Sequence, residues 1–449
     1  MSDATRYLAD NLAPVTEEIT AFELEVEGTL PDCLDGRYLR NGPNPLGPID
    51  PAKHHWFVGE GMVHGIRLRD GRAEWYRNRW VRTAEVAAAL GEAPPPNHLA
   101  ADRPVFSANT NVIGIAGRTF AIVEAGAVPV ELDDELATVG PSDFDGTLPW
   151  GFSAHPKVDP ATGKLHAVAY WWGWGNKVQY VVVGADGRVE RHRDVSMVHD
   201  LSPMMHDLSI TETRAVLYDL PCHFDLDAAM SGHRLPYRWK PEVGARVGLL
   251  PLDGSGDPTW IEVDPCYVFH PLNAWDEPDG RLVADVVRHP RMFATDVHGP
   301  NEGAPTLQRW TIDPVAGTVR EECLDDRPQE FPRVDERRVG RRHRFGYSVA
   351  LGNAWSHGGL VRHDNDRNTS ELIDHGAGRA TMEPVFVPRH DGAAEDDGWI
   401  MALVHDATAG RAELVLLDAS APGEGPVARV KLPARVPFGF HGNWIPSIG

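Results

Sequence analysis

Four histidines sit in settings suited to metal binding. They are His155 in FSAHPKVDP, His206 in MMHDLSIT, His270 in VFHPLNAWDE and His441 in RVPFGFHGNW. Each follows a small or apolar residue and precedes a polar or turn-forming one, which suits a strand end or loop pointing inward. A neutral imidazole offers one nitrogen lone pair to a cation and donates its other N–H to a neighbour. The chain holds 21 histidines, so any one alone reads as a surface residue or a core hydrogen-bonder. His54, His55, His98, His166, His192, His343 and His390 are assigned to that class. The gaps between the four candidates are 51, 64 and 171 residues. Zinc fingers and H-E-x-x-H helices use far shorter spacings. Ligands this far apart must come from separate elements that the fold brings together.

Those elements read as strands. Short apolar runs alternate with turn dipeptides, as in GIRLRDGRAEWYRNRWV around Asp70-Gly71 and VQYVVVGADGRVERHRDV around Asp186-Gly187. GRLVADVVRH follows Asp279-Gly280, and two further hairpins turn near Gly317 and Gly410. β-branched and aromatic runs bounded by Asp-Gly or Ala-Gly are hairpin signals. The 37 prolines and 44 glycines fit a loop-rich all-β protein. One helix is expected, in RTAEVAAALG at 82–91, ended by Gly91 and the prolines that follow. Hairpins repeated without linkers predict a closed radial β-fold, a propeller, as one domain over 1–449. Residues 1 to about 20 form an extended or helical arm. In a propeller the end of the chain meets its beginning, so His441 can stand beside residues from mid-chain.

Composition excludes several classes. Acidic residues outnumber basic ones 65 to 43, a net −22, which repels phosphate backbones and argues against nucleic acid. No apolar run reaches the 18 residues of a spanning helix. The N-terminus MSDATRYLADNLAPVTEEIT has neither a basic n-region nor an apolar h-region. Cys33, Cys222, Cys266 and Cys323 are scattered without a C-x-x-C pair, and read as reduced, buried thiols. A cytoplasmic protein is expected.

GRYLRNGPNP (36–45), GMVHG, AHPKVDPATGKL, MMHD, FHPLNAWDE, EFPRVDERRVGRRHRFGY, MEPVFVPR and FHGNW occur in that order. Together they resemble the carotenoid cleavage oxygenase family, from about residue 20 to the C-terminus. The resemblance implies an all-β, seven-bladed β-propeller with a cap of helices and loops over its top face. It implies one Fe(II) on the axis, with His155, His206, His270 and His441 at the ligand positions. Four neutral imidazoles leave the ion its full charge and, in octahedral geometry, two open sites for O2. Glu124 in AIVEAG, Glu330 in QEFPRVDE and Glu383 in TMEPVFV match the family's glutamates, which accept the remaining ring N–H and fix the tautomer. No such partner is expected for His155. Thr110 in SANTNV matches a threonine whose methyl group lies near an open iron site. RNGPNP reads as structural turn chemistry, Asp207 as a loop-orienting residue, and Glu60 stands where Asp is commoner.

The implied reaction is oxidative cleavage of a conjugated C=C by O2 to two carbonyl products. Relatives that cleave stilbenes carry a lysine before the first of these glutamates; here the residue is Val123. A valine cannot hold a phenolate, so a carotenoid or apocarotenoid is the expected substrate. A hydroxylated stilbene or phenylpropene (lignostilbene, resveratrol or isoeugenol type) is the alternative. Two other classes stay open: a retinoid isomerohydrolase on the same iron site, separated by O2 dependence, and a binding propeller with structural zinc, separated by metal analysis. The expected partner is a hydrophobic small molecule, with peripheral membrane contact as a hypothesis that 222–240, not markedly apolar, supports little. Oligomeric state is not legible.

Overall fold

The structure is a computed structural model that describes residues 6–352 and 356–447. Strands dominate it, and they form two compact units. The first unit comprises Met1–Val123, Ala127–Asp145 and Ile373–Gly449. It holds three sheets among the described residues. One orders Thr20–Phe22, Arg72–Trp80, Gly61–Arg69, Gly36–Pro43 and Gly442–Pro446, so the last strand of the chain pairs with its first long one, Arg40 opposite Gly442. The second sheet runs Asn111–Ile115, Arg118–Ile122, Val130–Leu132 and Thr138–Pro141. The third runs Val26–Gly28, Pro426–Lys431, Arg411–Asp418, Gly398–Asp406 and Arg379–Thr381, with Val385–Pro388 also on Gly398–Asp406.

The second unit comprises Glu124–Gly126 and Gly146–Leu372 and, among the described residues, holds four four-stranded sheets. Their end strands are Lys157–Val158, Leu208–Ile210, Tyr267–Asp276 and Gln329–Val334. A two-stranded ribbon, Cys222–Phe224 with Tyr237–Trp239, accompanies them. Three sheets and four make the seven blades of the β-propeller that the motifs predicted.

Strand alternation builds the core. Gly36–Pro43 is buried along its whole length. Tyr38 faces one apolar cluster with Ile66, Tyr76, Met401 and Leu414, whereas Leu39 faces another with Val63, Trp75, Val112 and Val130. Successive side chains of a strand point to opposite faces, so a strand packed on both faces reads as a continuous apolar run. The hairpin turns fall where expected. At Asp70-Gly71 both residues take positive φ (49° and 68°), as a two-residue turn between right-twisted strands requires.

Helix α1 (Ala84–Leu90) matches the 82–91 expectation: the Thr83 side chain accepts from Val86 N, and Gly91 ends it at φ 71°. Helix α2 (Leu226–Met230) lies in the ribbon connection, with Leu226 and Met230 exposed. No described helix is long and apolar enough to cross a membrane.

The structure corrects some expectations. RNGPNP is only partly a turn, because Gly36–Pro43 is strand: all of it pairs with Gly61–Arg69, and Gly36–Arg40 also pairs with Gly442–Pro446. Cys222 and Cys266 are buried, but Cys33 and Cys323 are exposed; all four are free. In the arm, residues 1–5 lie outside the described residues, and Asp10–Leu12 is a single 3-10 turn.

Candidate metal centre

The expected site residues fall on the sheets in a regular way. Thr110 directly precedes Asn111–Ile115, His155 precedes Lys157–Val158, and His206 precedes Leu208–Ile210. His270 lies in Tyr267–Asp276 and Glu330 in Gln329–Val334. Glu383 precedes Val385–Pro388, and His441 precedes Gly442–Pro446. Each of the seven sheets thus supplies one of these residues, always at its end strand. Glu124 is the exception; it follows Arg118–Ile122, the second strand of its sheet.

Local irregularity aims the side chains. The ladder of Tyr267–Asp276 shifts register between Val268 and Pro271, around His270. That of Gln329–Val334 shifts between Glu330 and Arg333. A bulge bends its strand and re-aims the residue on it. Phe331, beside Glu330, holds φ 55°, a conformation costly for a bulky side chain, and its ring stacks on His270 with centroids 5.6 Å apart.

Carboxylates orient two of the four imidazoles through hydrogen bonds, and a third imidazole stands close against a carboxylate. His206 Nδ1 lies 2.5 Å from Glu124 Oε2. His270 Nδ1 lies 2.6 Å from Glu330 Oε2, and His441 Nδ1 lies 2.8 Å from Glu383 Oε1. A proton on Nδ1 that donates to a carboxylate leaves Nε2 as a lone-pair donor. Glu330 and Glu383 are buried and Glu124 half-buried. Burial alone would raise the Glu330 pKa, but the bonds and charges of His270 and His289 outweigh it and hold the carboxyl well below the usual range. Glu383 is fixed from both oxygens, because Gly442 N donates to Oε2 at 2.9 Å.

His155 differs. Asp207 Oδ2 stands 3.9 Å from its Nδ1, beyond direct hydrogen-bond reach. Asp207 instead binds Lys157 Nζ at 2.9 Å and accepts from Leu208 N at 2.6 Å, the loop-orienting role expected of it. Burial pushes the Asp207 carboxyl up, and Lys157 beside it pulls the other way. Thr110 is buried, and its carbonyl accepts from His441 N at 3.1 Å. Glu60 Oε2 accepts from Leu46 N at 2.8 Å, pinning the loop after RNGPNP.

One ring nitrogen from each of His155, His206, His270 and His441 lies within 4.8 Å of the others. Nε2 of His206 and Nε2 of His270 are 3.2 Å apart. With both Nδ1 atoms turned to carboxylates, two lone pairs face each other there and repel unless a cation or proton lies between. Two imidazole nitrogens about 2.1 Å from one ion at a right angle stand about 3 Å apart. The donors therefore fit a metal ion, and imidazole suits iron, zinc, copper or nickel.

Sequence reasoning missed His289 and Asn41. His289 Nε2 lies 2.8 Å from Glu330 Oε1. A signal existed: His155, His270 and His289 each precede proline. Asn41 Nδ2 donates to the carbonyls of Ala108 and Asn111, and Asn41 N donates to His441 O at 2.9 Å. Nothing in RNGPNP alone reveals a contact 400 positions away.

Comparison with known proteins shows the family and the fold. The family model described as RPE65, retinal pigment epithelial membrane protein, matches residues 12–446. A carotenoid cleavage oxygenase of Mycobacterium tuberculosis is 45% identical, covering 98% of this chain and 97% of its own. The crystal structure of a Pseudomonas brassicacearum lignostilbene dioxygenase superposes with TM-score 0.88 at 30% identity, over 99% of both chains. A cobalt-substituted Synechocystis apocarotenoid oxygenase superposes with TM-score 0.86 at 28% identity, again over 99% of both.

Proposed function

The chain belongs to the RPE65/carotenoid cleavage oxygenase family, and from that premise we propose that it cleaves one C=C bond of a carotenoid or apocarotenoid with O2. The reaction joins one oxygen atom to each alkene carbon and yields two carbonyl compounds, so it needs no other oxidant. The observation that carries the reading is the four convergent imidazoles, two of them held by carboxylates and a third close to one. His155, His206, His270 and His441 would hold a ferrous ion, which would supply the redox chemistry by which O2 and a closed-shell alkene react.

The chain's own residues do the rest. Glu330 and Glu383 keep Nδ1 protonated on His270 and His441 and so keep Nε2 free for the ion, and Glu124 places its carboxylate beside His206 Nδ1. Their charge offsets that of the cation in a buried setting. Thr110, buried and bonded through its carbonyl to His441 N, would limit access to an ion held there. Positioning then decides the outcome, because a conjugated chain offers many similar double bonds and only the one held at the centre reacts.

The polyene assignment rests on Val123. It is buried, and it precedes the glutamate that binds His206, where a phenol-binding cation would otherwise stand. The alternative, a hydroxylated stilbene or phenylpropene, draws support from the lignostilbene dioxygenase likeness.

The test is anaerobic Fe(II) loading, then aerated incubation with β-apo-8′-carotenal and, separately, resveratrol, with products read by chromatography and mass. Two carbonyl fragments from the apocarotenal alone are expected. Cleavage of resveratrol alone would replace the polyene with a phenolic stilbene. Product that forms equally without O2 would point to isomerohydrolase chemistry, and iron bound with neither substrate cleaved would refute the substrate assignment.

A further inference from the structure

We propose that His289 is a positioning residue for the metal centre: it locks Glu330 in the orientation that His270 needs as a ligand. The inference rests on the metal-centre reading above and assigns a role to a residue outside the four ligands and three glutamates.

Glu330 is 1% exposed and His289 2% exposed. Three N–H groups converge on the carboxylate. His270 Nδ1 and Phe331 N reach Oε2 at 2.6 and 2.5 Å, and His289 Nε2 reaches Oε1 at 2.8 Å. The two imidazoles thus bind opposite oxygens of one carboxylate and fix its rotation. His289 ends the strand Leu282–His289, where it pairs with Tyr267 at the start of the strand carrying His270. Its ring meets Phe269 edge to face at 5.3 Å, and Pro290 stops the strand behind it. Backbone register, aromatic packing and chain termination therefore aim His289 together.

A buried histidine is usually a core residue satisfied by any available acceptor. Here the acceptor is the group that sets the tautomer of a ligand. Without His289, Oε1 of a buried carboxylate loses its N–H donor. It can then rotate toward another donor, moving Oε2 away from His270. That rotation loosens the His270 ring and weakens its hold on a cation. Groups behind a metal ligand typically alter affinity by about 10–100-fold when removed.

The experiment uses Co(II) as the probe, titrated into full-length apoprotein against a chelator, and records both affinity and the ligand-field absorption bands. His289→Leu should bind Co(II) about 10–100-fold more weakly, with shifted bands. His289→Gln, whose amide nitrogen reaches roughly the Nε2 position, should restore affinity to within a few-fold and return the bands. Wild-type affinity and spectrum in His289→Leu would overturn the inference. So would a Gln variant that folds normally yet binds as weakly as the Leu variant, since the N–H donor would then not matter. If His289→Leu does not fold, the Gln variant decides alone: unchanged bands support the role, and shifted bands overturn it. Failure of the wild-type protein to bind Co(II) would instead remove the metal-centre reading itself.

Discussion

At the scale of single residues, the candidate centre depends on carboxylates whose two oxygens have separate duties. Glu383 accepts from His441 Nδ1 on one oxygen and from Gly442 N on the other. An amide in its place has one acceptor and one donor, so one of those two N–H groups must face another N–H. A buried donor left unmet costs about 1–3 kcal/mol. Glu383→Gln should therefore lower metal affinity by about 10–100-fold without changing the strand content. Chelator competition and far-ultraviolet circular dichroism together check this; undiminished affinity would show that the carboxylate does not orient His441. Resemblance was enough to place Glu124, Glu330 and Glu383. The distances show that His155 lacks such a bond to Asp207 and that Glu330 serves two histidines.

At the scale of elements, the conspicuous feature is how closely two backbones approach. A Cβ on Gly42 would lie 2.6 Å from Gly439 Cα, and one on Gly439 would lie 2.8 Å from Gly42 Cα. These glycines belong to RNGPNP and to RVPFGFHGNW, two motifs at opposite ends of the chain. Asn41 ties the same stretches, accepting from Phe440 N at 3.0 Å and donating to His441 O. The N-terminal segment adds a second tie: Asn11 Nδ2 donates to Val436 O at 2.9 Å, and Arg435 Nη1 to Ala13 O at 2.7 Å. The segment leading to His441 is therefore positioned by contacts made at the start of the chain. Either Gly42→Ala or Gly439→Ala should displace it and destabilise the protein by about 1–3 kcal/mol, the usual cost of overpacking. Loss of bound metal should accompany a lower urea midpoint. A variant that keeps both would show the two strands can separate at no cost.

At the scale of the whole molecule, buried neutral histidines tie stability to pH. Burial, the largest cause in each case, pushes His166, His223, His343 and His363 from 6.5 down to about 4. His64 is pushed further, to about 3. The unfolded chain takes up these protons near pH 6.5, whereas the folded one resists until near pH 4. Their contribution is therefore complete above pH 6.5 and is lost as pH falls toward 4, at up to about 1.4 kcal/mol per pH unit for each histidine. Asp219 works in the opposite sense: burial raises it from 3.8 to about 6, so its share grows as pH falls through that window. Five histidines outweigh one carboxyl. The thermal midpoint of the apoprotein should hold near pH 7 and drop steadily between pH 6.5 and 4 by calorimetry; a flat profile would mean these histidines are not held neutral.

The sequence by itself determined the hairpins, the α1 helix and the identities of the four imidazoles. Asp-Gly turns, a Thr83 cap and alternating apolar residues act over a few positions, and motif order carries the family. Tertiary structure alone decided that one residue per sheet forms the site series, that bulges aim His270 and Glu330, and that His289 shares a ligand's carboxylate. It also decided that two glycines nearly 400 positions apart must both lack side chains. The physical reason is range. A backbone pattern records the hydrogen bonds it makes nearby, while contacts between distant segments depend on register, twist and packing that no local spacing encodes.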